Sequence, residues 1–71
     1  MKKYLMVIEP TQTRFSAHSP DLPGCVSTGR AREEVQQNMR GAMAFDLDGL
    51  PEEGQVVPEP QTYSAYVELP G

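Results

Sequence analysis

Phe15–Val35 reads FSAHSPDLPGCVSTGRAREEV, and the fold depends on where its periodicity changes. With Arg14 before them, Phe15 and Ala17 alternate with Ser16 and His18, as in a half-buried antiparallel strand. The next six residues hold two prolines and a glycine. Leu22-Pro23-Gly24-Cys25 suits a type II turn, with proline second and glycine third, where φ is positive. Pro20, Asp21, Pro23 and Gly24 therefore read as a structural corner rather than a reaction centre. Beyond it, Cys25-Val26-Ser27-Thr28 is long enough for a short strand. Asp21 cannot bond an N–H two residues ahead, because that residue is Pro23. Its carboxylate must reach the amides of Gly24 or Cys25, or turn outward to a partner.

From Ala31 the period becomes helical. Ala31, Val35, Met39, Ala42, Met43, Leu47 and Leu50 share one stripe, and Arg32, Glu33, Gln36, Gln37 and Arg40 lie opposite. Phe45 falls beside the stripe, at the core edge or at an interface. Glu33 and Glu34 sit in the first turn, where the helix dipole favours negative charge. Pro51 disfavours helix at the residue before it, so the helix should end near Gly49-Leu50.

Upstream, Tyr4–Ile8 is a short apolar run before Pro10, suited to a strand buried on both faces. The polar Thr11-Gln12-Thr13 would turn it into the Phe15 strand as a hairpin. Downstream, PEEGQVVPEPQ reads as an extended connection. Tyr63, Ala65, Val67 and Leu69 then alternate with Ser64, Tyr66 and Glu68, predicting a final strand. The expectation is an α+β chain of order βββαβ: a small antiparallel sheet with one helix packed on one face. Residues 1–71 form one domain without internal repeats.

Composition narrows the function. The chain carries six bases against ten acids, for a net charge of −4. Residues 1–32 hold five bases and two acids, whereas residues 33–71 hold one base and eight acids. An acidic surface repels phosphate backbones, so no direct nucleic-acid binding is expected, while a basic protein partner suits it. The longest apolar run is far below the roughly 18–20 residues of a membrane span. MKKYLMVIEP lacks the apolar region and cleavage site of a signal peptide, so a cytoplasmic location with a reduced thiol is expected. One cysteine excludes an internal disulfide, and with one histidine it cannot supply an ordinary zinc set.

Catalysis finds little to work with. Cys25 has no adjacent base, and His18 lies seven residues away across a turn. A two-metal nuclease would need several converging carboxylates. Glu9, Asp21, Glu34 and Asp46 are the only loose set, and their spacing does not demand convergence. No catalytic residue, metal or cofactor is expected. A small-ligand or purely self-assembling domain remains an alternative.

YLMVIEP, FSAHSPDLPGCVSTG, REEVQQNMRGAM and GLPEEGQVVPEP, in that order, resemble the HicB antitoxin family over Tyr4 to about Val67. The resemblance implies a βββαβ domain likened to a partly degraded ribonuclease H fold. It also implies neutralisation of a small basic RNA-cleaving toxin, HicA, by covering its RNA-binding and catalytic surface. Glu33, Glu34, Asp46 and Asp48 are then the expected partner contacts, with Glu52 and Glu53 beyond them. The family pattern often has threonine at position 31, a better helix N-cap than Ala31. Many members continue into a DNA-binding domain that this sequence does not contain. A stand-alone HicB-like domain is expected, operator binding is not carried over, and an orphan domain with another partner is the alternative. A small core without disulfide or metal favours a homodimer or higher homo-oligomer. Its expected edges are Cys25–Thr28 and Tyr63–Leu69, with Tyr66 facing outward at the interface.

Overall fold

The hairpin expected at the start of the chain is present in the computed structural model, which describes residues 2–71. Strand β1 (Val7–Pro10) pairs antiparallel with β2 (Phe15–His18), placing Ile8 opposite Ala17. Thr11 closes the turn between them. Its N–H donates to the Arg14 carbonyl at 2.7 Å, and its Oγ1 accepts from the Arg14 N–H at 3.0 Å. Strand β3 (Val26–Gly29) pairs antiparallel with β2, so the sheet order is β1-β2-β3. Before β1, the run from Tyr4 is tied down rather than paired as strand. The buried Ser19 hydroxyl donates to the Leu5 carbonyl at 2.8 Å.

The Pro/Gly corner has the turn geometry its sequence dictates. The Cys25 N–H donates to the Leu22 carbonyl at 3.1 Å, and Gly24 has φ of 82°. A second link, from the Leu22 N–H to the Ser19 carbonyl at 3.1 Å, tightens the preceding bend. This folding-over drives Leu22 and Cys25 inward to join Ala17, Val35 and Met39 as the buried apolar core.

Helix α1 (Arg32–Glu52) packs over β3 and β2. Ala31 is its N-cap and offers no side-chain bond. Glu34 partly compensates by reaching back, its Oε1 accepting the Arg30 N–H at 3.0 Å. The helix start lies hard against β3. A Cβ on Gly29 would stand 2.6 Å from the Val35 nitrogen, so glycine is required for the approach. Asn38 adds a bond from Nδ2 to the Thr28 carbonyl at 2.9 Å. Burying Val35 and Met39 stabilises this contact by about 1.5–3 kcal/mol each.

Two expectations are corrected here. The helix does not stop at Gly49-Leu50 but passes Pro51 and ends at Glu52. Its terminator is Gly54, with φ of 77°. The Gly54 N–H donates to the Pro51 carbonyl at 3.1 Å and the Gln55 N–H to the Leu50 carbonyl at 2.9 Å. This is the paired closure of a glycine-ended helix, and it outweighs the preference imposed by Pro51. The second correction is the final strand. Tyr63–Leu69 belongs to no strand, and the chain order is βββα followed by an extended tail. Alternation specifies which side chains share a face, but a strand also needs a neighbour, and the tail pairs with neither sheet edge.

Candidate protein-binding surface

The connection after α1 is held against the rest of the molecule at three points. Lys2 Nζ donates to Glu59 Oε1 at 2.9 Å, and the Tyr4 hydroxyl donates to the Pro58 carbonyl at 2.6 Å. The third point is Asp21. Its Oδ2 accepts the N–H groups of Thr62 at 2.9 Å and Gln61 at 3.1 Å, while Oδ1 accepts the Thr62 hydroxyl at 2.9 Å. The Thr62 N–H is the main reason the Asp21 carboxyl sits below its ordinary range, with the Thr62 hydroxyl and Gln61 N–H helping. Asp21 therefore bonds neither Gly24 nor Cys25. Its partners are amides forty residues onward, which local spacing could not indicate.

The acids expected to meet a partner do not form one cluster. Glu33 and Glu34 lie at the start of α1, and Asp46 and Asp48 lie roughly 18–22 Å further along at the helical rise per residue. Glu34 is engaged with Arg30, whose guanidinium stands 3.6 Å from Oε2. The Arg30 N–H is the first cause lowering its carboxyl's pKa. Asp46 is half-buried and its charge reaches Cys25. Glu33 and Asp48 are exposed.

A different constellation emerges on the distal half of α1. Phe45 is 83% exposed and covers no part of the core. Asp48 and Glu52, three and seven residues on, share its helical face and are also exposed. Gly41 and Gly49 flank Phe45 by four residues on either side with open space around them, so the ring stands proud of a smooth surface. The sequence held the signal, since Phe45 lies off the apolar stripe. The exposure of the ring decides between core edge and surface.

On its other side α1 leaves a groove. Because the helix sits over β3 and β2, Met6 and Ile8 leading into and along β1 are only half-covered. Together with Tyr4, Met43 and Leu47 they floor a hollow of about 810 Å³, with Glu33 and Arg40 at its rim. Sequence reasoning missed this groove, because Tyr4–Ile8 looks like a strand buried on both faces when the helix position is unknown.

Cys25 is buried and unpaired. Burial raises its thiol's pKa and the Asp46 charge adds to the rise, the reverse of what a nucleophile needs. The residues considered for metal chemistry, Glu9, Asp21, Glu34 and Asp46, do not converge. Among the described residues no group of three His, Cys, Asp or Glu side chains is placed to hold a metal ion. No helix among them is long and apolar enough to cross a membrane.

Comparison with known proteins places the chain in a family. The model of a family described as HicB-like antitoxin of bacterial toxin-antitoxin systems matches residues 4–71. The chain is also 28% identical over 67 residues to an uncharacterized 14.9 kDa protein in the rep-hol intergenic region of Haemophilus phage HP1 (strain HP1c1). That alignment covers 94% of this chain and 50% of the phage protein, so the chain spans about half the length of that relative.

Proposed function

The chain belongs to the HicB-like antitoxin family of bacterial toxin-antitoxin systems, and from that premise we propose that it neutralises a small basic HicA-like RNA-cleaving toxin. It acts by covering the toxin's RNA-binding and active surface. Its work is binding rather than catalysis, without a cofactor, and it binds no nucleic acid directly. The observation that carries this reading is the exposed Phe45 followed by Asp48 and Glu52 on one helix face. A solvent-exposed aromatic supplies contact area at low conformational cost, and flanking acids steer a basic partner onto it. Glu53 lies just beyond the same end of α1, and the half of the chain from residue 33 onward supplies most of the negative charge. Glu33 is a further contact at the opposite end, whereas Glu34 is already engaged with Arg30 and Asp46 is half-buried, so both contribute less. The protein works in the cytoplasm, where its toxin would act, and as a homodimer or higher homo-oligomer.

Co-expression with a HicA-like toxin tests the proposal. Growth should be rescued and the two proteins should co-purify. Phe45→Ala and the pair Asp48→Lys with Glu52→Lys should each weaken the complex while leaving helix content unchanged. Rescue that survives all three substitutions would remove this helix face from the contact.

A further inference from the structure

Tyr63–Leu69 presents an unusual combination of pattern and exposure. Its apolar residues alternate as in a strand, yet Tyr63, Tyr66, Val67 and Leu69 are 78–100% exposed. Among the described residues its backbone makes no hydrogen bond to the sheet. The tail also stretches the molecule. The radius of gyration is 13.9 Å and the longest extent 49 Å, against about 11 Å of radius for a folded chain of this length.

Elsewhere on the same chain lies the complement of this segment. Among the described residues, strand β1 is a sheet edge, paired only with β2. The run from Tyr4 to Pro10 that leads through it is seven residues long, the same length as Tyr63–Leu69. Beside it lies the apolar groove left where α1 does not cover Met6 and Ile8. Charge is compatible: the tail carries only Glu68, Lys2 and Arg40 line the hollow against the single acid Glu33, and Arg32 lines the smaller recess beside Ile8 and Phe15. The chain's own tail does not fill this space. Tyr66 stands beside the Ile8–Phe15 end of the groove and remains fully exposed. The connection before it is fixed by Asp21, Tyr4 and Lys2, so only residues after Thr62 are free to reach another molecule.

We propose that Tyr63–Leu69 is exchanged between two copies of this chain, each tail adding as a fourth strand to the β1 edge of the other and closing its groove. The inference rests on the homodimer reading above and says how the dimer is built. Each copy brings both the donor strand and the acceptor edge, so a twofold axis satisfies both at once and leaves neither unpaired. Strand addition supplies main-chain bonds, and the alternate side chains Tyr63, Ala65, Val67 and Leu69 extend the apolar layer beneath α1. The alternating pattern of the tail then acquires the neighbour that a single chain does not provide.

The test uses the full chain without toxin. Sedimentation gives the assembly state, and NMR on a mixture of ¹³C-labelled and unlabelled copies reports contacts between molecules only. The expected result is a dimer with intermolecular contacts between the Val67 or Leu69 methyls and those of Met6 or Ile8. The double substitution Val67→Asp with Leu69→Asp should weaken the dimer about a hundredfold or more, as loss of two buried aliphatic side chains demands. It should keep its helix content, because both positions are exposed in the single chain. A dimer that lacks these contacts and survives the double substitution would overturn the exchange and leave the homodimer reading standing. A monomer at micromolar concentration would overturn both. A monomer that loses toxin binding on the same double substitution would assign the tail to the toxin instead.

Discussion

Replacing Gly29 with alanine should destabilise the protein, whereas the same change at Gly41 should stabilise it. The added methyl is identical, and only the surroundings differ. At Gly29 the new Cβ would meet the Val35 nitrogen at 2.6 Å, its Cα at 2.8 Å and its Cβ at 3.0 Å. Atoms in good contact stand roughly 3.5–4.0 Å apart, so the first turn of α1 must move off β3. Forcing such a shift costs about 1–3 kcal/mol, against a gain of about 0.4–1 kcal/mol from a less flexible unfolded chain. The net loss of about 1–2 kcal/mol corresponds to a fall in Tm of roughly 5–15 °C for a domain this small. Gly41 lies within α1 with nothing near its Cβ position. Alanine there gains about 1 kcal/mol of helix propensity, or a rise of roughly 4–8 °C. Thermal unfolding of both variants, followed by circular dichroism at one fixed protein concentration, makes the comparison. A Gly29→Ala protein as stable as Gly41→Ala would show that α1 does not rest on β3 as closely as the geometry says.

Three further outcomes follow from particular contacts. Ala31→Thr should stabilise the domain by about 1 kcal/mol, because Ala31 is an N-cap with no side-chain acceptor; urea unfolding measures it. Gly24→Val should cost more than about 1 kcal/mol, since φ of 82° is strained for a β-branched residue even with open space around it; the same unfolding curve checks this. The tail clamp should survive moderate acid. The Asp21 carboxyl is held below its ordinary range, so its contribution is complete above the ordinary aspartate value and is lost only as pH falls through the lower folded value. Protection of the Gln61 and Thr62 amides, relative to their intrinsic exchange at each pH, should fall across that window, and at neutral pH in Asp21→Asn.

Much of the fold was legible because local pattern and global packing agree. The alternation at Phe15–His18, the Pro23-Gly24 turn and the helical stripe through Val35 and Met39 each specify one geometry. Where reading failed, the missing information was tertiary. Pro51 argues locally for an earlier stop, but Gly54 offers the better closure three residues on. The pattern from Tyr63 to Leu69 is that of a strand, and no residue spacing says whether an edge is within reach. The candidate site was less legible than the fold. Phe45 was visibly out of register, yet its isolation became clear only with the path of α1 over β2 and β3. The groove beside β1 comes from that same path. The partners of Asp21 are forty residues away in sequence, so the residue could be recognised as an acceptor but not matched.

The proposed silencing of an RNA-cleaving toxin rests on the Phe45 face. Its most direct test is the RNA-cleavage rate of a HicA-like toxin titrated with the protein. Cleavage should fall to background at equimolar protein. Asp48→Lys with Glu52→Lys should require more protein for the same inhibition, and added salt should narrow the gap as it screens the lost attraction. Cleavage that continues undiminished at a large excess of the unaltered protein would rule out toxin silencing by this chain.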